Sequence, residues 1–177
     1  MNLLNKSHFD FLGLPARFHL DERQLHETFR RVQAAVHPDR FASAGGAEHR
    51  MAMQLATRAN EAFSILRDPG QRAAYLCELN GCPVQAETNT AMSSQFLIQQ
   101  MQWREALQDA RETADREALH GLEQTLSDHR AELLAEMTRA LDELHDYPSA
   151  CDAVRRWMFV DKFGREVAVA REALAAA

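Results

Sequence analysis

The chain has 177 residues, 46% of them hydrophobic, enough for one ordinary domain or two small ones around a real core. Its formal charge of −6 is unevenly placed: residues 1–80 carry ten Lys/Arg against nine Asp/Glu, and residues 81–177 carry ten against seventeen. An acidic second half excludes a general nucleic-acid binder, the opening MNLLNKSHFDFLG lacks the apolar core of a signal peptide, and no window reaches the length of a membrane span, so the expectation is a cytoplasmic protein with no nucleic-acid or membrane partner.

Seven Gly and five Pro are few, and Ala, Leu, Glu, Gln and Arg dominate, which predicts an all-α fold. SHFDFLGLP predicts one or two helical turns, with Ser7 as cap and Gly13 and Pro15 as the stop. LDERQLHETFRRVQAAV opens with Asp21 and Gln24 at capping-box spacing, and Leu25, Phe29, Val32 and Val36 then repeat on one helical face. After HPDRFASAGG, a second long helix carries Met51, Leu55, Ala59, Ala62, Phe63 and Leu66 on one face, able to pair antiparallel with the first. Asp68-Pro69-Gly70 signals a turn, and QRAAYLCEL a short helix ending before Asn80-Gly81.

Residues 82–92, CPVQAETNTAM, lack periodicity and read as a linker. Beyond them, helical runs at about 93–110, 113–145 and 149–175 predict a three-helix bundle, because short loops make sequential helices antiparallel neighbours. Leu119, Leu122, Leu126, Leu133, Met137, Leu141 and Leu144 mark the expected core seam of its middle helix. In the first helix Phe96, Trp103, Leu107 and Ala110 form an inward stripe, yet Leu97, Ile98 and Met101 lie on the far side with Glu105 and Asp109. That half-apolar, half-acidic face reads either as an exposed binding patch or as a helix embedded more deeply. Phe159 is expected to point away from the Val154, Trp157, Val160, Val167 and Leu174 seam of the last helix.

Cys77, Cys82 and Cys151 are too few and too loosely spaced for a disulfide framework or a zinc site, and read as ordinary thiols, with no metal or cofactor expected. Gly45-Gly46 lacks the lysine of a phosphate-binding loop. Pro38 cannot continue a helix and biases His37 away from helical backbone, so His37-Pro38-Asp39 is a rigid corner between the two long helices. Arg23, His26, Arg30, Gln33 and His37 run along one polar stripe towards that corner. On residues alone the corner is a solvated turn, a metal corner, a docking tip, or the His37/Asp39 pair of a small helical hydrolase. The hydrolase needs a concave pocket and a third orienting group, which a tip between two helices does not supply.

HPDR between two amphipathic helices, followed by ANEAFSILRDPGQRAAY, resembles a J domain; Asn60, Ala62, Phe63, Leu66, Asp68, Pro69, Arg72 and Tyr75 match the family pattern. FDFLGLPARF, HPDRFAS, RAAYL and the later WMFVDKF extend the resemblance over nearly the whole chain, to the HscB family of iron-sulfur cluster co-chaperones. The resemblance implies a J domain over 1–81, a linker over 82–92 and a scaffold-binding three-helix bundle over 93–177. It implies a non-enzymatic protein with two partners, the DnaK-type ATPase chaperone HscA and the iron-sulfur scaffold IscU. His37, Pro38 and Asp39 would then trigger ATP hydrolysis in HscA, with Arg23, Arg30 and Arg40 as electrostatic contacts. Leu97, Ile98, Met101, Glu105, Asp109 and Phe159 match the family's scaffold-binding positions in character, while Gln102 departs from its usual carboxylate. A J-domain co-chaperone for a different client is the alternative, and the acidic half implies a basic patch on whichever client is held.

Overall fold

The computed structural model describes residues 3–37, 45–84 and 92–176. The chain divides into two compact units, Met1–Asn80 and Gly81–Ala177. In the first, a 3-10 turn (Leu3–Asn5) precedes α1 (His8–Leu12), α2 (Glu22–Val36), α3 (Gly46–Arg67) and α4 (Pro69–Leu79); in the second come α5 (Ser94–Glu112), α6 (Arg116–Thr138), a π-helical segment (Arg139–Leu144) and α7 (Tyr147–Ala176). Among the described residues there is no strand.

Local chemistry sets the boundaries of the first unit. Ser7 Oγ accepts from Asp10 N–H at 3.0 Å and donates to the Asp10 carboxylate at 2.7 Å. Gly13, at φ 68°, ends α1 in the left-handed conformation that L side chains resist. Asp21 caps α2, accepting from the backbone N–H groups of Arg23 and Gln24. Phe9, Leu12, Leu14, Phe18, Leu25, Ala59, Ala62 and Leu66 form the core. Phe63, late in α3, stacks on Phe29 of α2 with ring centroids 4.2 Å apart and ties the two long helices together.

The DPGQRAAY stretch closes this unit. Asp68 caps α4 by accepting from Gln71 N–H at 2.8 Å, and Pro69 occupies the first turn, where its missing N–H has no helical partner to lose. Arg72 is buried; its Nε donates to Phe18 O at 2.8 Å, an Nη donates to Leu66 O, and the guanidinium lies 5.1 Å from the Phe18 ring. It thereby satisfies one of the last carbonyls of α3, at the helix end that favours a cation. Tyr75 Oη accepts from His8 N–H at 3.0 Å and joins α4 to α1.

In the second unit α6 and α7 run antiparallel, since Glu123 pairs with Arg171, Asp161 with Arg130, and Glu136 with Arg156. Leu119, Leu126, Leu133 and Met137 interlock with Val154, Val160, Phe163 and Val167, and α5 adds Trp103, Leu107 and Ala110. Asp115 caps α6, and Asp146, ahead of α7, accepts from the Ser149 hydroxyl and backbone N–H. Those two hydrogen bonds, the hydroxyl first, lower the pKa of Asp146.

Three expectations change. Met51 is 44% exposed while its neighbour Ala52 takes the buried position, because α3 turns its small residues to the core at that end. Leu144 is 59% exposed although Ala140 and Leu141 are buried. The π turn takes up an extra residue, so a position three beyond Leu141 no longer returns to the same face. Residues 82–84 are not free of the bundle: Val84 is buried, its carbonyl accepts from Arg155, and the Cys82 sulfur touches Cys151. The remainder of the expected linker, residues 85–91, lies outside the described residues.

Candidate functional site

α2 carries the first candidate surface. Arg23, His26, Arg30 and Gln33 are all exposed along it. Glu22, Arg23, His26, Glu27 and Arg30 line a shallow depression, so two carboxylates are interleaved with the cations. His26 keeps its imidazole edge against the Phe63 ring at 4.9 Å, and Arg30 Nε donates to His26 O at 3.4 Å, which orients both along the helix. His37 is exposed and ends α2 with φ −62° and ψ 126°, the extended backbone that the following proline demands. Pro38, Asp39 and Arg40 lie outside the described residues.

The second surface is on α5. Trp103, Leu107 and Ala110 are buried on its inner side. Leu97, Met101, Glu105 and Asp109 follow one another at four-residue steps, so they form one ridge about 18 Å long. Leu97 is 45% exposed, Ile98 57% and Met101 70%, and Glu105, Asp109 and the flanking Gln102 are exposed too. The deeper embedding of this helix is therefore not what the chain adopts. One end of the ridge is apolar and the other acidic.

Phe159 is half-buried, which corrects the expectation that it points away from the bundle seam. Its ring stacks 5.8 Å from the buried Phe163 and 6.3 Å from Trp103, and meets Phe96 edge-on at 5.8 Å. The Arg104 guanidinium lies 5.7 Å from the same ring. Phe159 thus ends an aromatic stack between α5 and α7 and flanks the ridge, while Arg104 adds a cation beside an otherwise acidic face. Sequence reasoning missed Arg104; the Phe159/Phe163 pair at i, i+4 was the available signal that this face of α7 is packed.

Arg156, on the wall of a groove lined by Gln99, His129 and Glu132, is committed internally to Glu136 and Asp152. Burial alone would lower its pKa, but those two carboxylates outweigh it and the net direction is up. Among the described residues, no group of three or more His, Cys, Asp or Glu side chains is placed to hold a metal ion, and no helix is long and apolar enough to cross a membrane.

Residues 92–168 match the family model described as the HSCB C-terminal oligomerisation domain. The Co-chaperone protein HscB homolog of Bordetella petrii is 51% identical over 166 residues, covering 94% of this chain and 96% of that relative. The Burkholderia mallei homolog is 50% identical, covering 97% of each chain. The solved chaperone HscB from Vibrio cholerae superposes with a TM-score of 0.83 at 32% identity, over 96% of this chain and 99% of that one. Human co-chaperone protein HscB, at 24% identity and a TM-score of 0.86 over 93% of this chain and 82% of that one, shares the fold. The all-α architecture of a J domain followed by a helical bundle, and relatives that match it almost end to end, place this chain in the HscB family of co-chaperones.

Proposed function

We propose that the protein works in the cytoplasm without chemistry of its own, delivering the iron-sulfur scaffold IscU to the DnaK-type chaperone HscA and stimulating the ATPase of HscA. Residues 1–81 act as the J domain and residues 93–177 as the client holder. His37, Pro38 and Asp39 form the trigger, and Arg23, Arg30 and Arg40 contact the chaperone. Leu97, Ile98, Met101, Glu105, Asp109 and Phe159 receive the scaffold. The observation that carries the reading is the ridge on α5, where three large apolar side chains stand 45%, 57% and 70% exposed beside two carboxylates. Apolar side chains clustered so openly on a folded surface mark an interaction site.

The trigger acts only if the corner binds the hydrolysis-competent state of HscA more tightly than the other state, because uniform binding shifts no equilibrium. Stimulation and client capture are therefore separable. The experiment is steady-state ATPase of HscA with IscU alone, then with the wild-type protein, with His37→Gln, and with a Leu97→Ala/Met101→Ala/Phe159→Ala variant. Synergy between wild type and IscU, lost in His37→Gln, supports the trigger. Loss of IscU synergy with basal stimulation kept in the triple variant supports the client site. Stimulation that IscU never enhances gives the bundle a different client, and no stimulation at all overturns the J-domain mechanism.

A further inference from the structure

Cys82 and Cys151 are 69 residues apart in sequence, yet their sulfurs lie 3.1 Å apart, and the Cys151 thiol donates to Cys82 O at 3.0 Å. Both backbones are held. Cys82 belongs to the segment fixed by buried Val84, whose carbonyl accepts from Arg155, and Cys151 stands in α7 one residue past the buried Ala150. The two thiols are therefore neighbours within one compact unit. Cys151 is 3% exposed and Cys82 is half-buried, so an oxidant meets Cys82 first. Closing the pair to a disulfide requires the sulfurs to approach by about 1 Å.

We propose that Cys82 and Cys151 form an oxidisable dithiol, a modification site at which a peroxide converts the pair to an intramolecular disulfide. The Cys82 thiol gives up its proton as its sulfur attacks one peroxide oxygen; the O–O bond breaks, the departing hydroxide takes that proton, and a sulfenic acid and one water result. The Cys151 sulfur then attacks the Cys82 sulfur; the S–O bond breaks, the S–S bond forms, and the hydroxyl leaves as a second water with the Cys151 proton. Two thiols lose two electrons and one peroxide becomes two waters. The product clips the start of the second unit to α7, closing a long loop of chain and restraining the unfolded state of that unit. Cys77, fully buried in the first unit, takes no part.

The test uses the full chain, reduced, exposed to stoichiometric hydrogen peroxide, denatured in an alkylating agent, and read by intact mass and non-reducing peptide mapping. The expected product is a monomer lighter by about two mass units, with one alkylated cysteine, Cys77, and a peptide pair joined through Cys82 and Cys151. Its tryptophan fluorescence transition moves up by about 5 °C or more and returns on reduction with dithiothreitol. Cys77→Ser leaves the product intact, and Cys82→Ala abolishes it. Three alkylated cysteines, a sulfinic acid at Cys82, a disulfide-linked dimer, or a bridge to Cys77 would each overturn the proposal, and the wild-type map decides without any variant having to fold.

Discussion

Replacing Arg72 with methionine should loosen the first unit and leave the second as it was. The side chain is 9% exposed, and methionine keeps much of its length while removing the donors. Two acceptors, Phe18 O and Leu66 O, lose their charge-assisted bonds, and the contact with the Phe18 ring loses its cation. A hydrogen bond from a charged group contributes about 1.5–3 kcal/mol, so losing the two, less some gain from burying a thioether, gives about 2–4 kcal/mol. A unit of this size is stable by roughly 4–12 kcal/mol, so the loss is a large fraction. Both tryptophans, Trp103 and Trp157, lie in the second unit, so their fluorescence during urea unfolding reports that unit while far-ultraviolet circular dichroism reports both. The expected result is a circular dichroism component moved down by about 2 M urea, with the fluorescence midpoint unchanged. An equal shift in both signals, or none in either, would refute the claim that Arg72 acts as a local pin.

His8 gives a pH dependence. It is 3% exposed, its Nδ1 has no hydrogen-bond partner among the described residues, and burial first, then the Arg58 charge, lower its pKa against a smaller opposing effect of Glu61. The unfolded chain then binds the proton more readily, so stability is complete above about pH 6.5 and falls as pH drops below it, by up to about 1.4 kcal/mol per pH unit. Urea midpoints of the first unit at pH 7.5 and 5.5 should differ more in wild type than in His8→Phe, which keeps a ring against Tyr75. Gly164→Ala should fail to deliver the roughly 1 kcal/mol expected inside a helix, because the new Cβ meets the Arg130 guanidinium that reaches Asp161; in an Arg130→Ala background the gain should return, read by fluorescence-detected urea unfolding. Met101→Ala, at the most exposed apolar position of the ridge, should weaken scaffold binding by about 1–2 kcal/mol in calorimetry while leaving the thermal midpoint within about 1 °C.

The helices were legible because their signals are local. Ser7, Asp21, Asp68 and Pro69 stand where capping chemistry places them, and the three-residue and four-residue spacing of Leu25, Phe29, Leu119, Leu122 and Leu126 depends on nothing distant. The candidate ridge was legible for the same reason, as one helix carried apolar side chains on two faces. What periodicity could not supply was partnership across the chain. Arg72 reads as a charged surface residue until Phe18 and Leu66 are beside it. Phe159 reads as outward until Trp103 and Phe96 arrive from another helix. Cys82 and Val84 read as linker because no local pattern announces contact with α7. Leu144 failed differently: an α-helical period was applied to a stretch that does not keep it.

That π segment also sets where the bundle tolerates a change in length. Residues 139–144 hold one more residue per turn than an α-helix needs, and the slack is released at His145, whose φ of 54° ends the segment. Deleting one residue inside this stretch would let it relax to α-helix, with the register of α6 against α7 preserved on its far side. The same deletion in α6 ahead of Leu133 would rotate every following core position by about 100°, turning Leu133 and Met137 out of the seam. Natural shortening of the second helix of this bundle should therefore concentrate in these six residues, where a lost residue is absorbed by the turn instead of by the core.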